Sequence, residues 1–421
     1  MLYEDVVVLI PGFFGFGRIG DFFYFADRVS ATLRGALGSR LGRAVPVLSV
    51  ASNPVASLAS RQKTLLDQLH RVDSLLKGPA RYHLVGHSAG GVDADLLTMA
   101  QPLDYGQTWE TYDKNGIRTR IQSITTISSP HYGTNLSNNS AVAFLHDPLH
   151  HLDGAVQAAE LSLHLSAMVA QRSLTLDALA GVAQSGSTAI RFLLQLLLDQ
   201  TLVRDLETSR MEALRANSVR VLFPQTVTFA TCVPDPPKAP ALRSARRPVT
   251  SDGVPRSCDR FFALLHSLTA RNVCSNATTL EALQVLEHSS AVAVRNPSAH
   301  LATLDASSND GVVNTARQIL LPSGRDRQAA PAGSPEPIFG GCIVADHVDV
   351  IGHYDRRDPL SFGPDGKTQP INEGFFRSGA GFGDDQFFRL YERVAEWVAR
   401  AARADEQATR RLPFVALAAN R

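Results

Sequence analysis

Residues 84–91 read Leu-Val-Gly-His-Ser-Ala-Gly-Gly, and this stretch decides the fold of the chain. An apolar segment precedes Gly86, and residues with helical spacing follow over 92–99. A strand, a Gly-x-Ser-x-Gly turn and a helix in this order are typical of a nucleophile elbow, in which a strained turn exposes the serine Oγ. Gly86 and Gly90 fit such a turn, because a Cβ at either position would clash with the neighbouring strand or helix. We therefore predict that Ser88 is a catalytic nucleophile.

Composition sets broad limits on the class of protein. The chain has 421 residues, which suits one large α/β domain with insertions. Its 41 basic and 40 acidic residues give a net charge of +1, so neither nucleic acid nor an anionic membrane surface is an expected partner. The four cysteines are too few for a disulfide framework. We predict buried free thiols, with a pair between Cys258 and Cys274 as the alternative.

The beginning of the chain bears on its location. Residues 1–5 lead directly into the apolar run 6–10, without the basic segment and long apolar segment of a signal peptide. No apolar run is long enough to span a bilayer, so we expect no transmembrane segment. We expect a cytoplasmic protein, unless export uses a route that leaves no N-terminal mark.

Alternating apolar runs and helical patterns predict the architecture. Buried strands are expected at 6–10, 45–50, 82–85 and 121–127, with helices at 33–41 and 60–76 between them. This order predicts an α/β-hydrolase fold, with a mostly parallel central sheet and helices on both faces. Further predicted elements are a strand at 227–232, helices at 261–268, 280–286 and 384–402, a short strand at 317–321 and a loop at 325–337.

A helical insertion divides the predicted hydrolase core. Residues 1–134 form the first part of the core, and residues 219–421 form the second. Between them, residues 135–218 contain no strand-like run. Their position, one strand after the elbow, predicts a lid over the mouth of the site, and an immobile helical subdomain is the alternative. Helical periodicity within the insertion covers 155–168, 174–182 and 188–202.

A serine nucleophile needs a base, and the base needs a carboxylate to orient it. In this fold the three residues follow one another as serine, acid and histidine. His347 is the predicted base, because it follows a long loop and precedes the final helix. Asp310 is the predicted acid, because it lies in a polar turn before an apolar pair. Asp305 is the alternative acid, since Asp-Gly at 310–311 also suits an ordinary turn.

An oxyanion hole requires two backbone N–H donors. Ala89, directly after the nucleophile, and Phe13, in the loop after the first strand, are the predicted donors. The many Phe and Gly residues of that loop fit an apolar wall for an acyl chain. We predict that Phe14, Phe16 and His87 contact the substrate, with an aromatic core loop as the alternative for Phe14 and Phe16.

Five separated segments resemble one known family, and their order and spacing agree with it over nearly the whole chain. They resemble the bacterial true lipases, and most closely the thermoalkalophilic triacylglycerol lipases, although Pro11 stands where that family has His. The resemblance implies a triad of Ser88, Asp310 and His347 that cleaves carboxylic esters of lipids, with a lid that contacts the lipid interface. The segments are Pro11–Gly17, Gly86–Gly91, Ile124–Thr134, Ser308–Thr315 and Asp346–Gly352.

Three other functions stay open at this stage. A carboxylesterase for shorter, water-soluble esters would use the same triad. An acyltransferase would form the same acyl-enzyme and pass it to another acceptor. A non-catalytic binding protein could share the fold, since a fold does not specify a function.

The resemblance also bears on metal ions. The family's calcium site implies Asp349 as one ligand and Asp355, rather than Asp358, as a second. A hard cation with oxygen ligands there would brace the loop of the catalytic base. A surface turn with two carboxylates is the alternative. The family's zinc site depends on an insertion that is missing between residues 54 and 81, where His70 is the one histidine, so we expect no zinc.

Overall fold

A computed structural model describes residues 4–13, 18–19, 22–53, 56–76, 78–104, 106–138, 201–233, 260–271, 273, 275–288, 304–354 and 378–418. Its strands are β1 (Glu4–Ile10), β2 (Arg18–Ile19), β3 (Phe22–Phe23), β4 (Val47–Ser49), β5 (Ala80–His87), β6 (Ile121–Ile127), β7 (Gln225–Cys232) and β8 (Ile338–Val344). Six of them form one parallel sheet in the order β4-β1-β5-β6-β7-β8, and β2 pairs with β3 in a short antiparallel hairpin.

Helices cover both faces of this sheet. They are α1 (Asp27–Leu41), α2 (Leu58–Leu75), α3 (Ala89–Leu96), α4 (Trp109–Tyr112), α5 (Thr201–Asp205), α6 (Thr208–Asn217), α7 (Arg260–Ala270), α8 (Ala277–His288), α9 (Gly324–Ala329) and α10 (Asp384–Ala418). Short 3-10 helices lie at Arg118–Arg120, Thr315–Gln318 and Asp349–Ile351.

Strand β1 shows why the sheet lies in the centre of the molecule. Val7 and Leu9 belong to a buried cluster with α1 and α10, whereas Val6, Val8 and Ile10 belong to a cluster with α2 and α3. A strand that is apolar on both faces is stable only where helices cover both sides. The predicted α/β-hydrolase fold is therefore confirmed, with all six strands of the main sheet parallel.

The C-terminal helix positions the loop that carries His347. Tyr391 of α10 is buried, and its hydroxyl donates to Val350 O at 2.8 Å. From α1, Arg28 donates to Gly352 O at 2.7 Å. Two helices on one face of the sheet thus hold the backbone just after His347.

Three details differ from the sequence prediction. The strand predicted at 317–321 is absent: a 3-10 helix ends at Gln318, and residues 319–321 belong to no strand. Ala316 and Ile319, three positions apart, instead pack into one cluster with α8. The predicted loop at 325–337 contains α9, which Ser323 caps. Strand β8 was not predicted, because Gly340 and Gly341 interrupt its apolar pattern. A Cβ on Gly340 would lie 2.6 Å from the Phe229 ring, so this strand requires glycine there.

Other predictions about the chain have mixed outcomes. Cys232 and Cys342 are buried free thiols, as predicted, whereas Cys258 and Cys274 lie outside the described residues. Of the insertion, residues 139–200 also lie outside them, so a lid stays a prediction.

None of the helices described has both the length and the apolar character needed to cross a bilayer.

The two ends of the insertion lie next to each other. Thr134 N donates to Leu206 O at 3.0 Å. Asn138 Nδ2 donates to Thr208 Oγ1 at 2.8 Å, and Thr208 N donates to Asn138 Oδ1 at 3.0 Å. The chain therefore leaves the core and returns to it at a single place.

A buried ionic cluster fixes α6 to α3, the helix that follows Ser88. The Asp95 carboxylate is fully buried and pairs with Arg215 of α6 and with Arg220. Burial alone raises the pKa of Asp95, but the positive charges of Arg220 and Arg215 outweigh it and lower the pKa to about 2. Arg215 also donates to His131 O at 3.0 Å, which holds the loop after β6.

Replacing Asp95 by Asn is expected to make the free energy of unfolding less dependent on pH in the acid range. The ionised carboxylate stabilises the fold above its ordinary pKa of 3.8, and this contribution is lost as the pH falls toward 2. From about pH 6 to about pH 3, wild type should lose about 1 kcal/mol more of its unfolding free energy than Asp95→Asn. Urea unfolding at each pH measures the difference. Asp67→Asn, which removes an exposed carboxylate of α2, should follow wild type, and parallel curves for Asp95→Asn would contradict the assignment.

Candidate active site

Ser88 lies on the turn between β5 and α3 in a strained conformation. Its φ is 54° and its ψ is −133°, a region that residues with a side chain rarely adopt. Ser88 N donates to Ile127 O at 3.0 Å, and Gly91 N donates to Ser88 O at 3.0 Å. The neighbouring strand and the first turn of α3 thus hold the serine backbone from both sides.

Glycines allow the elbow to pack directly against the end of β1. A Cβ on Gly90 would lie 2.7 Å from Pro11 O, and still closer to Ile10 O. A Cβ on Gly12 would lie 2.8 Å from His87 O. The clash predicted for Gly90 is therefore present, and the loop after β1 touches the turn that carries Ser88.

His347 and Asp310 form the acid–base pair predicted from their chain order. His347 Nδ1 lies 2.9 Å from Asp310 Oδ2, and His347 N donates to Asp310 O at 3.1 Å. Because a carboxylate accepts, Nδ1 carries the proton and Nε2 is left to accept one. Asp305 is exposed and caps its own turn through Ser307 N at 2.8 Å. The structure thus joins His347 to Asp310 and not to the alternative acid.

Several donors fix the orientation of the buried Asp310 carboxylate. Oδ1 accepts from the N–H groups of Val312 and Val313 at 3.0 and 2.8 Å. Oδ2 accepts from Thr231 Oγ1 at 2.6 Å and from Gln318 Nε2 at 3.2 Å. Neither of these two side chains is among the residues predicted from the sequence. Thr231 lies at the carboxyl end of β7, and a polar residue at the end of a buried parallel strand was the available signal.

A buried arginine holds the loop after β1. Arg61 of α2 is fully buried and pairs with Asp93 of α3, with Nη2 2.6 Å from Oδ2. The same Nη2 donates to Pro11 O at 3.0 Å, and Nη1 donates to Asn53 O at 2.7 Å. A buried charge needs a partner of opposite charge and satisfied hydrogen bonds, and Arg61 has both. Arg61 is not predicted from the sequence, because a single arginine in an amphipathic helix carries no local signal.

The structure places the predicted oxyanion donors near each other. Phe13 is partly buried against a cluster that contains Ala89, the first residue of α3. Their role as donors stays a prediction. Phe14 and Phe16 lie outside the described side chains, so their predicted contact with substrate is also open.

His87 has a position that differs from its predicted contact with substrate. Its side chain is 1% exposed. Nδ1 lies 2.7 Å from Tyr24 Oη, and Nε2 lies 2.7 Å from His347 O. Both ring nitrogens therefore face protein groups rather than a substrate cleft, because the elbow turns this residue inward.

The predicted calcium ligands are described only in part. Asp349 is buried in the 3-10 helix after His347, and its Oδ2 accepts from Asp346 N at 2.9 Å. Asp355 and Asp358 lie outside the described residues. Among the residues that the structure describes, no group of three or more His, Cys, Asp or Glu side chains could hold a metal ion.

Part of this chain is similar in sequence to a known lipase. No family model matches it. A triacylglycerol lipase from Pseudomonas fragi is 29% identical over 173 residues, which are 41% of this chain and 50% of that protein. The chain thus spans about half the length of the curated relative that it matches.

Solved structures that are similar to this chain include EstA and two lipases. EstA from Clostridium botulinum is 18% identical, with 94% of this chain and 87% of that chain covered and a TM-score of 0.47. Lipase 1 from Pelosinus fermentans is 16% identical, with 94% and 99% covered and a TM-score of 0.48. Staphylococcus hyicus lipase is 14% identical, with 96% and 97% covered and a TM-score of 0.45.

Replacing Gly90 by Ala is expected to destabilise the protein, because the new methyl group would overlap the carbonyl oxygens at the end of β1. Overpacking of this kind typically costs about 1–3 kcal/mol. Gly35→Ala is the matched control. Gly35 is exposed within α1, and its Cβ would meet nothing within 4 Å, so alanine should stabilise α1 by about 0.5–1 kcal/mol. Urea unfolding measures both, and equal stability of the two variants would contradict the tight packing.

Proposed function

We propose that this protein is a serine hydrolase that cleaves carboxylic esters through an acyl-enzyme on Ser88. One observation carries the proposal. His87, the residue before the strained serine, bonds to the backbone oxygen of His347 at 2.7 Å, and His347 in turn bonds to Asp310 at 2.9 Å. These bonds connect the turn after β5, the loop after β8 and the turn that carries Asp310, which supports their assignment as nucleophile, base and acid.

The proposed reaction has two halves. In the first, Ser88 Oγ attacks the ester carbonyl while His347 Nε2 takes its proton, and Asp310 stabilises the imidazolium that forms. The N–H groups of Phe13 and Ala89 would receive the developing oxyanion. Collapse breaks the ester C–O bond, and His347 returns the proton to the leaving alcohol. In the second half, water attacks the acyl-enzyme with the same base, and this releases the acid and frees Ser88.

Lipids are the substrate class that we favour. The similarity to a triacylglycerol lipase supports this choice, although it covers half of that protein. The apolar helical periodicity of residues 135–218 also supports it, since an apolar lid suits contact with a lipid interface. The thermoalkalophilic lipases remain the subgroup that the sequence motifs favour.

A panel of p-nitrophenyl esters from acetate to palmitate, together with a triacylglycerol emulsion, tests this function. A lipase should hydrolyse the emulsion and prefer long acyl chains. Turnover confined to short soluble esters would instead indicate a carboxylesterase, and ester products formed with an added alcohol would indicate an acyltransferase.

Variants of the proposed triad test the assignment of residues. Ser88→Ala should reduce kcat by about 10⁶-fold, because the nucleophile is lost. Asp310→Asn should reduce it by about 10⁴-fold, because the amide no longer fixes the tautomer of His347. Asp305→Asn is the matched control and should stay near wild type. Full turnover by Ser88→Ala, or absence of fluorophosphonate labelling at Ser88 in wild type, would overturn the proposal.

We also propose that calcium binds beside the His347 loop. Asp349 supplies a carboxylate oxygen of the kind that this hard cation prefers. Calcium chloride should raise the Tm of wild type, because an ion that binds only the folded state stabilises it. Asp349→Asn should lose most of this response, whereas Asp305→Asn should keep it. Equal responses of all three proteins in a thermal melt would contradict a site at Asp349.

A further inference from the structure

We propose that His87 is a positioning residue, which fixes the catalytic base relative to the nucleophile through a hydrogen bond to the backbone of His347. This inference rests on the proposed function and adds a role that the triad does not contain. Its structural basis is the juxtaposition of three segments. Tyr24 precedes α1, His87 precedes Ser88, and His347 follows β8.

The hydrogen-bond chain through His87 has a defined direction. The His347 carbonyl can only accept, so His87 Nε2 must carry a proton and donate across 2.7 Å. In the neutral ring, Nδ1 is then an acceptor, and the Tyr24 hydroxyl donates a hydrogen bond to it at 2.7 Å. Burial keeps the pKa of His87 well below its usual value, and the positive charge that His347 gains acts in the same direction. The ring therefore remains neutral with a single tautomer.

Both backbone polar groups of His347 are consequently fixed. Its N–H donates to Asp310 O at 3.1 Å, and its C=O accepts from His87. The His347 and His87 rings also pack at a centroid distance of 4.8 Å. The bonds to Asp310 alone would orient the His347 imidazole but would not fix its position relative to Ser88. His87 fixes that position, because it is covalently joined to Ser88.

Tyr24 extends this arrangement to the loop after β1. Its side chain is buried, and a Cβ on Gly12 would lie 2.8 Å from Tyr24 Oη. The hydroxyl is thus in close contact with the backbone next to Phe13, the proposed oxyanion donor. One tyrosine and one histidine connect the oxyanion loop, the nucleophile turn and the base loop.

Two substitutions at His87 separate positioning from simple packing. His87→Phe keeps an aromatic ring but removes the donor to His347 O. We expect kcat to fall by about 10- to 100-fold with KM nearly unchanged, because small misplacements of a catalytic group have effects of this size. His87→Gln keeps a donor at the position of Nε2 and should restore kcat to within about threefold of wild type. Both variants are to be measured on the same p-nitrophenyl ester, with Tm recorded for each.

Tyr24→Phe removes the hydroxyl that His87 Nδ1 accepts from, and should reduce kcat by about three- to tenfold. Tyr132→Phe is its matched control. Tyr132 is also buried and bonds a backbone oxygen, Leu321 O at 3.1 Å, but it lies outside this chain of bonds. Its kcat should stay near that of wild type.

The outcomes distinguish this inference from the proposed function. If wild type hydrolyses esters and His87→Phe keeps its kcat within twofold, or if the loss appears in KM or is not restored by His87→Gln, the positioning role is wrong while the function stands. If wild type neither turns over esters nor labels with a fluorophosphonate at Ser88, both the function and the positioning role are wrong. Reduced labelling of His87→Phe, with labelling restored in His87→Gln, supports both.

Discussion

The turn that carries Ser88 packs closely against the end of β1, and the rest of the site depends on this constraint. The turn adopts a backbone conformation that costs about 1–3 kcal/mol, and such a conformation persists only where its surroundings over-determine it. Here the surroundings are the end of β1, which contacts the turn at Gly90, and the end of β6, which accepts from Ser88 N. The backbone of Ser88 is therefore held in one position, and the other segments of the site are positioned relative to it.

Buried polar groups, rather than apolar contacts, connect distant segments to that fixed point. Arg61 joins the loop after β1 to α3 through Asp93, and Asp95 joins α3 to α6. His87 joins the turn to the loop of His347. Apolar packing is tolerant of small shifts, whereas a buried charge or hydrogen-bonding group is strongly destabilised when its partner moves away. The site thus combines an apolar sheet, which specifies the fold, with buried polar contacts, which fix the distances between the segments that carry the site residues.

How much of this site could be predicted from the sequence depends on whether each residue acts through its local segment or through a contact with another part of the chain. Ser88, Asp310 and His347 can be predicted as a triad because their chemistry, chain order and local turns are visible in short segments of the sequence. Thr231 and Gln318 were missed, because each lies within a pattern that predicts a buried strand, and Thr231 is also 79 residues away from Asp310 along the chain. Strand β8 was missed for a related reason. Its glycines are required only because an aromatic ring of the adjacent strand packs against them, and that contact is not visible in the local sequence.

Because the two ends of the insertion adjoin, the number of residues between them has little effect on the cost of folding the core. Thr134 bonds to Leu206, and Asn138 bonds to Thr208, so the chain between them begins and ends at one pinned point of the scaffold. The entropy of closing such a loop grows only slowly with its length. A change in the number of residues between these two bonded ends would therefore alter the free-energy cost of closing the chain only slightly.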